Sequence, residues 1–188
     1  MYTPSTTEYQ LIDGARKSLQ RLHQTISELD DTTYTRQSVA LPGSTIGKHV
    51  RHIIEHYLLL INAITSGKQP ISVNYASRRR DVAIETSVQN GMDAILSVAD
   101  PQLTVCLDLL NKPDLSLRTP VRVTDTLPSG MESALMSTLG RELWFCTHHM
   151  VHHNAIIASL LHEAGRQAPQ EFAYAPSTVK HNHSQGQP

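Results

Sequence analysis

Cysteine is almost missing from this chain. Cys106 and Cys146 are its only two in 188 residues, too few for a disulfide framework. Both fall in apolar patterns and read as reduced core thiols, which suits the cytoplasm. No charge of one sign dominates: 16 Lys and Arg stand against 17 Asp and Glu. Their interspersion offers no basic surface to nucleic acid. No apolar run approaches the roughly eighteen residues of a membrane span. The opening MYTPSTTEYQ also lacks the charged-then-apolar layout of a signal peptide. Histidine is what the chain has in excess, eleven in all. Seven of them fall in two clusters: His49, His52 and His56, then His148, His149, His152 and His153.

The pattern of apolar residues predicts four amphipathic helices. The first runs from about Thr6 to Leu29, opened by a Ser5-x-x-Glu8 capping box. After a loop with Pro42-Gly43, the second runs from Ser44 to a terminating Gly67. Residues 68–80, with Pro70 and the basic run Arg78-Arg79-Arg80, read as a long connection; the run is a solvated patch or a holder for an anionic substrate. The third helix spans Asp81 to Ala99 and stops at Asp100-Pro101. Leu103, Val105, Leu107 and Leu109 then alternate with polar residues, and Leu115, Leu117, Val121 and Val123 alternate again after Asn111-Lys112-Pro113-Asp114. This predicts a β-hairpin over 102–124, with Pro120 pushing its second strand to an edge. The fourth helix starts at Ser129-x-x-Glu132 and ends at Ala164-Gly165. From Gln167 the chain turns Pro- and polar-rich. His181-Asn182-His183 belongs to this polar end and is not a nuclease motif. The expected organisation is one domain over 1–178 with a polar tail at 179–188.

Four such stripes bury one another most simply in an all-α four-helix bundle, an architecture that builds metal sites between facing helices. On a helical wheel of about 100° per residue, His149 and His153 enter the apolar stripe of the last helix, while His148 and His152 lean toward solvent or a partner. A second copy of the chain is one such partner. Glu142 falls in the same stripe about 10 Å along the axis from His149. That distance suits support of a ligand better than ligation. On the second helix the three histidines share one flank, with His49 and His56 deeper than His52. Two other site patterns compete. His52-Ile53-Ile54-Glu55-His56 matches the H-x-x-E-H zinc-peptidase motif, with Glu55 as base, although the wheel turns Glu55 to the polar side. A di-iron bundle needs several inward carboxylates, and only Glu142 qualifies.

The HVRHIIEH helix, the late HHMVHHNAII helix and the closing EFAYAPST together resemble the DinB/YfiT-like superfamily of metal-dependent enzymes, over about Tyr9 to Thr178. That resemblance implies a four-helix bundle with a small hairpin and a three-histidine divalent-metal site. It places the ligands on His52, His149 and His153. It departs from the family pattern after the last ligand, where Asn154-Ala155-Ile156 stands in place of Arg-Gly-Gln. The implied chemistry is metal-dependent hydrolysis or transfer of a low-molecular-weight thiol, because an open His₃ site lowers the pKa of bound water or ionises a bound thiol. Zinc or nickel is the expected ion, with iron and copper also suited to imidazole. The expected partners are a small-molecule substrate or thiol and a second protomer, without nucleic acid or membrane. The competing reading is a non-catalytic metal- or ligand-binding bundle of stress-related type.

Overall fold

A computed structural model describes residues 6–186 except 111 and 113. Ser5 of the first capping box, and Asn111 and Pro113 of the expected turn, lie outside the described residues. Helix α1 (Thr6–Ser27) is followed by a short α2 (Asp31–Thr35) and by α3 (Ile46–Thr65). Thr45 caps α3 by accepting from the Lys48 amide at 3.1 Å, which satisfies one of the donors a helix start leaves free. Strand β1 (Ile71–Asn74) and two 3₁₀ turns (Tyr75–Ser77, Val82–Glu85) lead to α4 (Val88–Ser97). A π turn over Val98–Gln102 joins α4 to α5 (Leu103–Leu110). Then come β2 (Pro120–Thr126), β3 (Glu132–Thr138), the long α6 (Leu139–Glu163) and α7 (Pro176–Ser184).

The expected bundle is present, with α4 and α5 acting together as its third member. Helices α1 and α3 each pack against both α6 and the α4–α5 pair. The shared core is aliphatic. Leu19, Leu22 and Ile26 come from α1, Val50, Ile53 and Leu60 from α3, Ile95 and Leu103 from α4–α5, and Met150 and Ile157 from α6, all buried. Each such side chain contributes roughly 1.5–3 kcal/mol on leaving water. The contact that matters for function is α3 against α6. Tyr57 meets Thr147 through their hydroxyls at 3.1 Å, while His49 lies beside His153. Rising numbers on α3 therefore meet falling numbers on α6, and the two helices run antiparallel.

A hairpin does lie between the third and fourth bundle helices, but not over 102–124. Residues Leu103–Leu110 are helical, because their burial follows a helix: Leu103, Cys106 and Leu110 are buried while Val105 is exposed. The alternation of leucines and valines coincides with a helical i, i+3, i+7 set, and packing on α1 and α3 decides for the latter. Pro101, which has no N–H to donate, is absorbed by the π turn instead of ending the helix. The true hairpin pairs β2 with β3, Val123 opposite Leu135. Its turn is closed by Leu127 donating to the Met131 carbonyl at 2.8 Å. Ser129-x-x-Glu132 therefore sits in the turn and start of β3, and α6 is capped by Thr138. Leu135, which lies within the span expected of the last helix, is an exposed strand residue.

Strand β1 has no counterpart in the expected elements. It adds to β2 in parallel, Ile71 opposite Val121, so β2 is central and not an edge. Pro120 is tolerated as the first residue of that strand. The stretch expected as polar tail includes α7, a nine-residue helix with no buried residue. No helix among the described residues is long and apolar enough to cross a membrane.

Candidate metal centre

Spacing on two adjacent antiparallel helices brings imidazoles to one point. His149 and His153 are one turn apart on α6 and share a face. His52 reaches them from α3. The Nε2 atoms of His52 and His149 are 2.8 Å apart, and those of His149 and His153 are 3.1 Å apart. One ligand atom from each of the three lies within 4.8 Å of the others. Bonds of 2.0–2.1 Å to a tetrahedral zinc set nitrogens about 3.3–3.4 Å apart, so small ring movements suffice to hold an ion. The set fits a divalent metal.

The electrostatics favour the ligating form. Burial, with the His56 and His153 rings and the Arg78 cation adding to it, lowers His52 to about 2. Burial also lowers His149 to about 4 and His153 to about 3, each assisted by neighbouring imidazoles. All three are therefore neutral at pH 7, the state in which imidazole binds metal. With each proton on Nδ1, three neutral rings whose Nε2 atoms converge this closely would offer their lone pairs to one cation.

The remaining histidines surround this trio. His49 sets Nδ1 2.8 Å from His153 Nδ1 and Nε2 2.7 Å from the Ser44 hydroxyl. His56 donates Nδ1–H to the His52 carbonyl at 2.8 Å, since a carbonyl only accepts. Its ring stacks on Tyr75 at 5.1 Å. His148 packs tilted against Trp144 with ring centroids 3.8 Å apart, and Arg141 lies over the Trp144 ring at 5.0 Å. His152 is exposed, as the wheel indicates. A shallow, open groove of about 310 Å³ lies over His49, His52 and His153, with Lys48 and Arg51 in its wall.

Glu142 is buried, but its hydrogen bonds do not go to a histidine. It accepts from Tyr75 at 3.0 Å and from Ser137 at 2.6 Å, tying β3 and the Tyr75 turn to α6. Its reach to the site is indirect, through the Tyr75 ring beneath His56. Glu55 is likewise buried and occupied: it accepts from the Asp81 amide at 2.8 Å, and Arg51 lies 4.0 Å from its second oxygen. It faces a different cavity, with Leu58, Leu59 and Arg79. The H-x-x-E-H reading therefore loses its base. Neighbours of the site that spacing did not single out include Ser44, Tyr75 and Phe145, whose ring stacks on His149 at 5.3 Å, and the half-buried Arg78 was read only as part of its basic run. Tyr75 follows Ile71 and Val73 at a strand period, a signal too short to stand alone; nothing in the sequence separates Arg78 from Arg79 and Arg80.

No solved structure matches the chain. A protein described as FK506-binding protein 5, from Rhizopus delemar, is 27% identical over 147 residues, which is 77% of this chain and 35% of that protein. The chain thus spans about a third of the length of this curated relative. The sequence model of the DinB family matches residues 1–182, nearly the whole chain. With that match and a three-histidine cluster between two bundle helices, the chain belongs to the DinB family.

Proposed function

We propose that this protein is a metal-dependent enzyme acting on a small molecule, as a hydrolase or as a transferase of a low-molecular-weight thiol, with His52, His149 and His153 as the ligands of one zinc or nickel ion. The observation that supports this most is the convergence of three Nε2 atoms beside a shallow, open groove of about 310 Å³. A divalent ion held by these three neutral imidazoles would keep its full charge and would supply Lewis-acid activation of a water or thiol. The chain's own groups set the rest. His56 holds its proton on Nδ1 through the His52 carbonyl, which leaves its Nε2 unprotonated. Lys48 places positive charge in the wall of this opening and favours an anionic substrate there, whereas Arg51 is paired with Glu85 at 2.8 Å. Arg78 carries a further positive charge near His52, His56 and His149.

The test is cobalt-substituted protein titrated with small thiols and anions. A visible spectrum that changes as they bind is expected of an open site, and ester, amide and thiol-transfer substrates are then screened for turnover. A spectrum indifferent to every added ligand would mean a closed, structural ion.

A further inference from the structure

His153 meets other histidines through both of its ring nitrogens. An imidazole has two nitrogens, and only the tautomer with its proton on Nδ1 offers Nε2 to a metal. His153 aims Nε2 at His149 and sets Nδ1 against His49. We propose that His49 and Ser44 are positioning residues that fix His153 in the Nδ1–H tautomer, so that its Nε2 is the metal donor. This rests on the metal-centre reading above.

Proton counting along the chain of contacts leaves two neutral arrangements, and only one of them frees His153 Nε2 for a metal. If His153 Nε2 is a metal donor, its proton sits on Nδ1 and is donated to His49 Nδ1 across 2.8 Å. His49 must then carry its own proton on Nε2. That atom lies 2.7 Å from Ser44 Oγ, a hydroxyl able to accept it. The opposite arrangement, with Ser44 donating, leaves the proton of His49 on Nδ1. It then has to go to His153 Nδ1, which turns the N–H of His153 toward the other ligands and blocks coordination.

The loop before α3 is built to hold Ser44 in place. The Ser44 amide donates to the Leu41 carbonyl at 3.0 Å, and the Ser44 carbonyl accepts from the Ser38 amide at 2.9 Å. Ser38 and the Val39 amide are in turn bound to Glu163, at the far end of α6, at 2.9 and 3.0 Å. Gly43 turns the loop at φ +81, a conformation that costs a side-chain-bearing residue energy, and its carbonyl accepts from Lys48 Nζ at 2.7 Å. A loop that sequence reads only as a Pro-Gly connection is thus tied at both ends to the helices carrying the ligands.

The test uses the full chain and zinc, with affinity measured by chelator competition and ring tautomers by long-range proton–nitrogen NMR of the zinc-loaded protein. His49→Phe keeps the ring volume without its nitrogens and is expected to weaken zinc about 10–100-fold, the usual effect of losing a ligand's outer partner. His49→Asn, whose amide oxygen can accept near the Nδ1 position, is expected to recover most of that loss. In the wild type, His153 should carry its proton on Nδ1 and His49 on Nε2. If His49→Phe does not fold, Ser44→Ala serves instead, and is expected to weaken zinc and populate the other His49 tautomer. Wild-type zinc affinity in a folded His49→Phe or Ser44→Ala variant, or His153 bound to zinc through Nδ1, would overturn the proposal. The underlying metal reading fails separately: His149→Ala retaining wild-type affinity would remove the metal centre itself, whatever His49 does.

Discussion

At the scale of single residues, the trio is separated from its neighbours by where the ring nitrogens meet, since His52, His149 and His153 bring one ligand atom each within 4.8 Å of the others. His52, His149 and His153 present Nε2 to one another, whereas His56 spends Nδ1 on the His52 carbonyl and packs on Tyr75. His52→Ala is expected to abolish metal binding and His56→Ala to retain it, as read by metal content after dialysis; the reverse pattern would return the H-x-x-E-H motif to consideration. The late pair was legible from sequence because i, i+4 spacing and the apolar stripe agree. The α3 member of the cluster was not, since on the wheel alone His49 and His56 lie deeper than His52. What decides is the placement of α6, a tertiary fact. The same burial makes the fold acid-sensitive. The folded-state pKa values of His52, His149 and His153 lie at about 2, 4 and 3, and burial lowers His49 and His56 as well. The unfolded chain, with histidines near 6.5, binds more protons below that value. Stability of the metal-free protein is therefore full above about pH 6.5 and falls as pH drops toward 4. Thermal melts of metal-free protein at pH 7.5 and 5 should show a lower midpoint at pH 5, and an unchanged midpoint would show that the rings are not held neutral.

At the scale of elements, sequence patterns identified the long helices and failed where two periods coincide. Leu103, Cys106 and Leu110 satisfy a helix while Leu103, Val105, Leu107 and Leu109 satisfy a strand, and only the neighbours α1 and α3 choose between them. Strand β1, four residues long, is below the length at which alternation carries information. Two contacts that join elements give stability predictions. Glu142 fastens β3 and the Tyr75 turn to α6. Glu142→Ala leaves both hydroxyls without that acceptor and is expected to cost about 1–3 kcal/mol in denaturant unfolding, with metal content unchanged. Metal loss from folded Glu142→Ala protein would instead mean that the carboxylate supports a ligand. Gly47, at the start of α3, has no space for a side chain: an added Cβ would sit 2.7 Å from the Glu85 carbonyl oxygen and 2.7 Å from Tyr34 Cε1. Gly47→Ala is expected to destabilise by about 1–3 kcal/mol, the usual effect of overpacking. An unshifted unfolding midpoint would show that α2 and the Val82–Glu85 turn yield more easily than their contacts suggest.

At the scale of the whole molecule, a bundle in which α3 and α6 pack antiparallel is what turns two histidine-rich stretches, about a hundred residues apart, into one centre. The hairpin and the loop before α3 flank that centre without supplying a member of the trio. Metal content per chain, measured by elemental analysis after zinc loading and exhaustive dialysis, tests this most directly. One ion is expected for the wild type and for His152→Ala, whose ring is exposed, and none for His149→Ala or His153→Ala. A full ion retained by either of the last two, or lost from His152→Ala, would contradict a centre built on His52, His149 and His153.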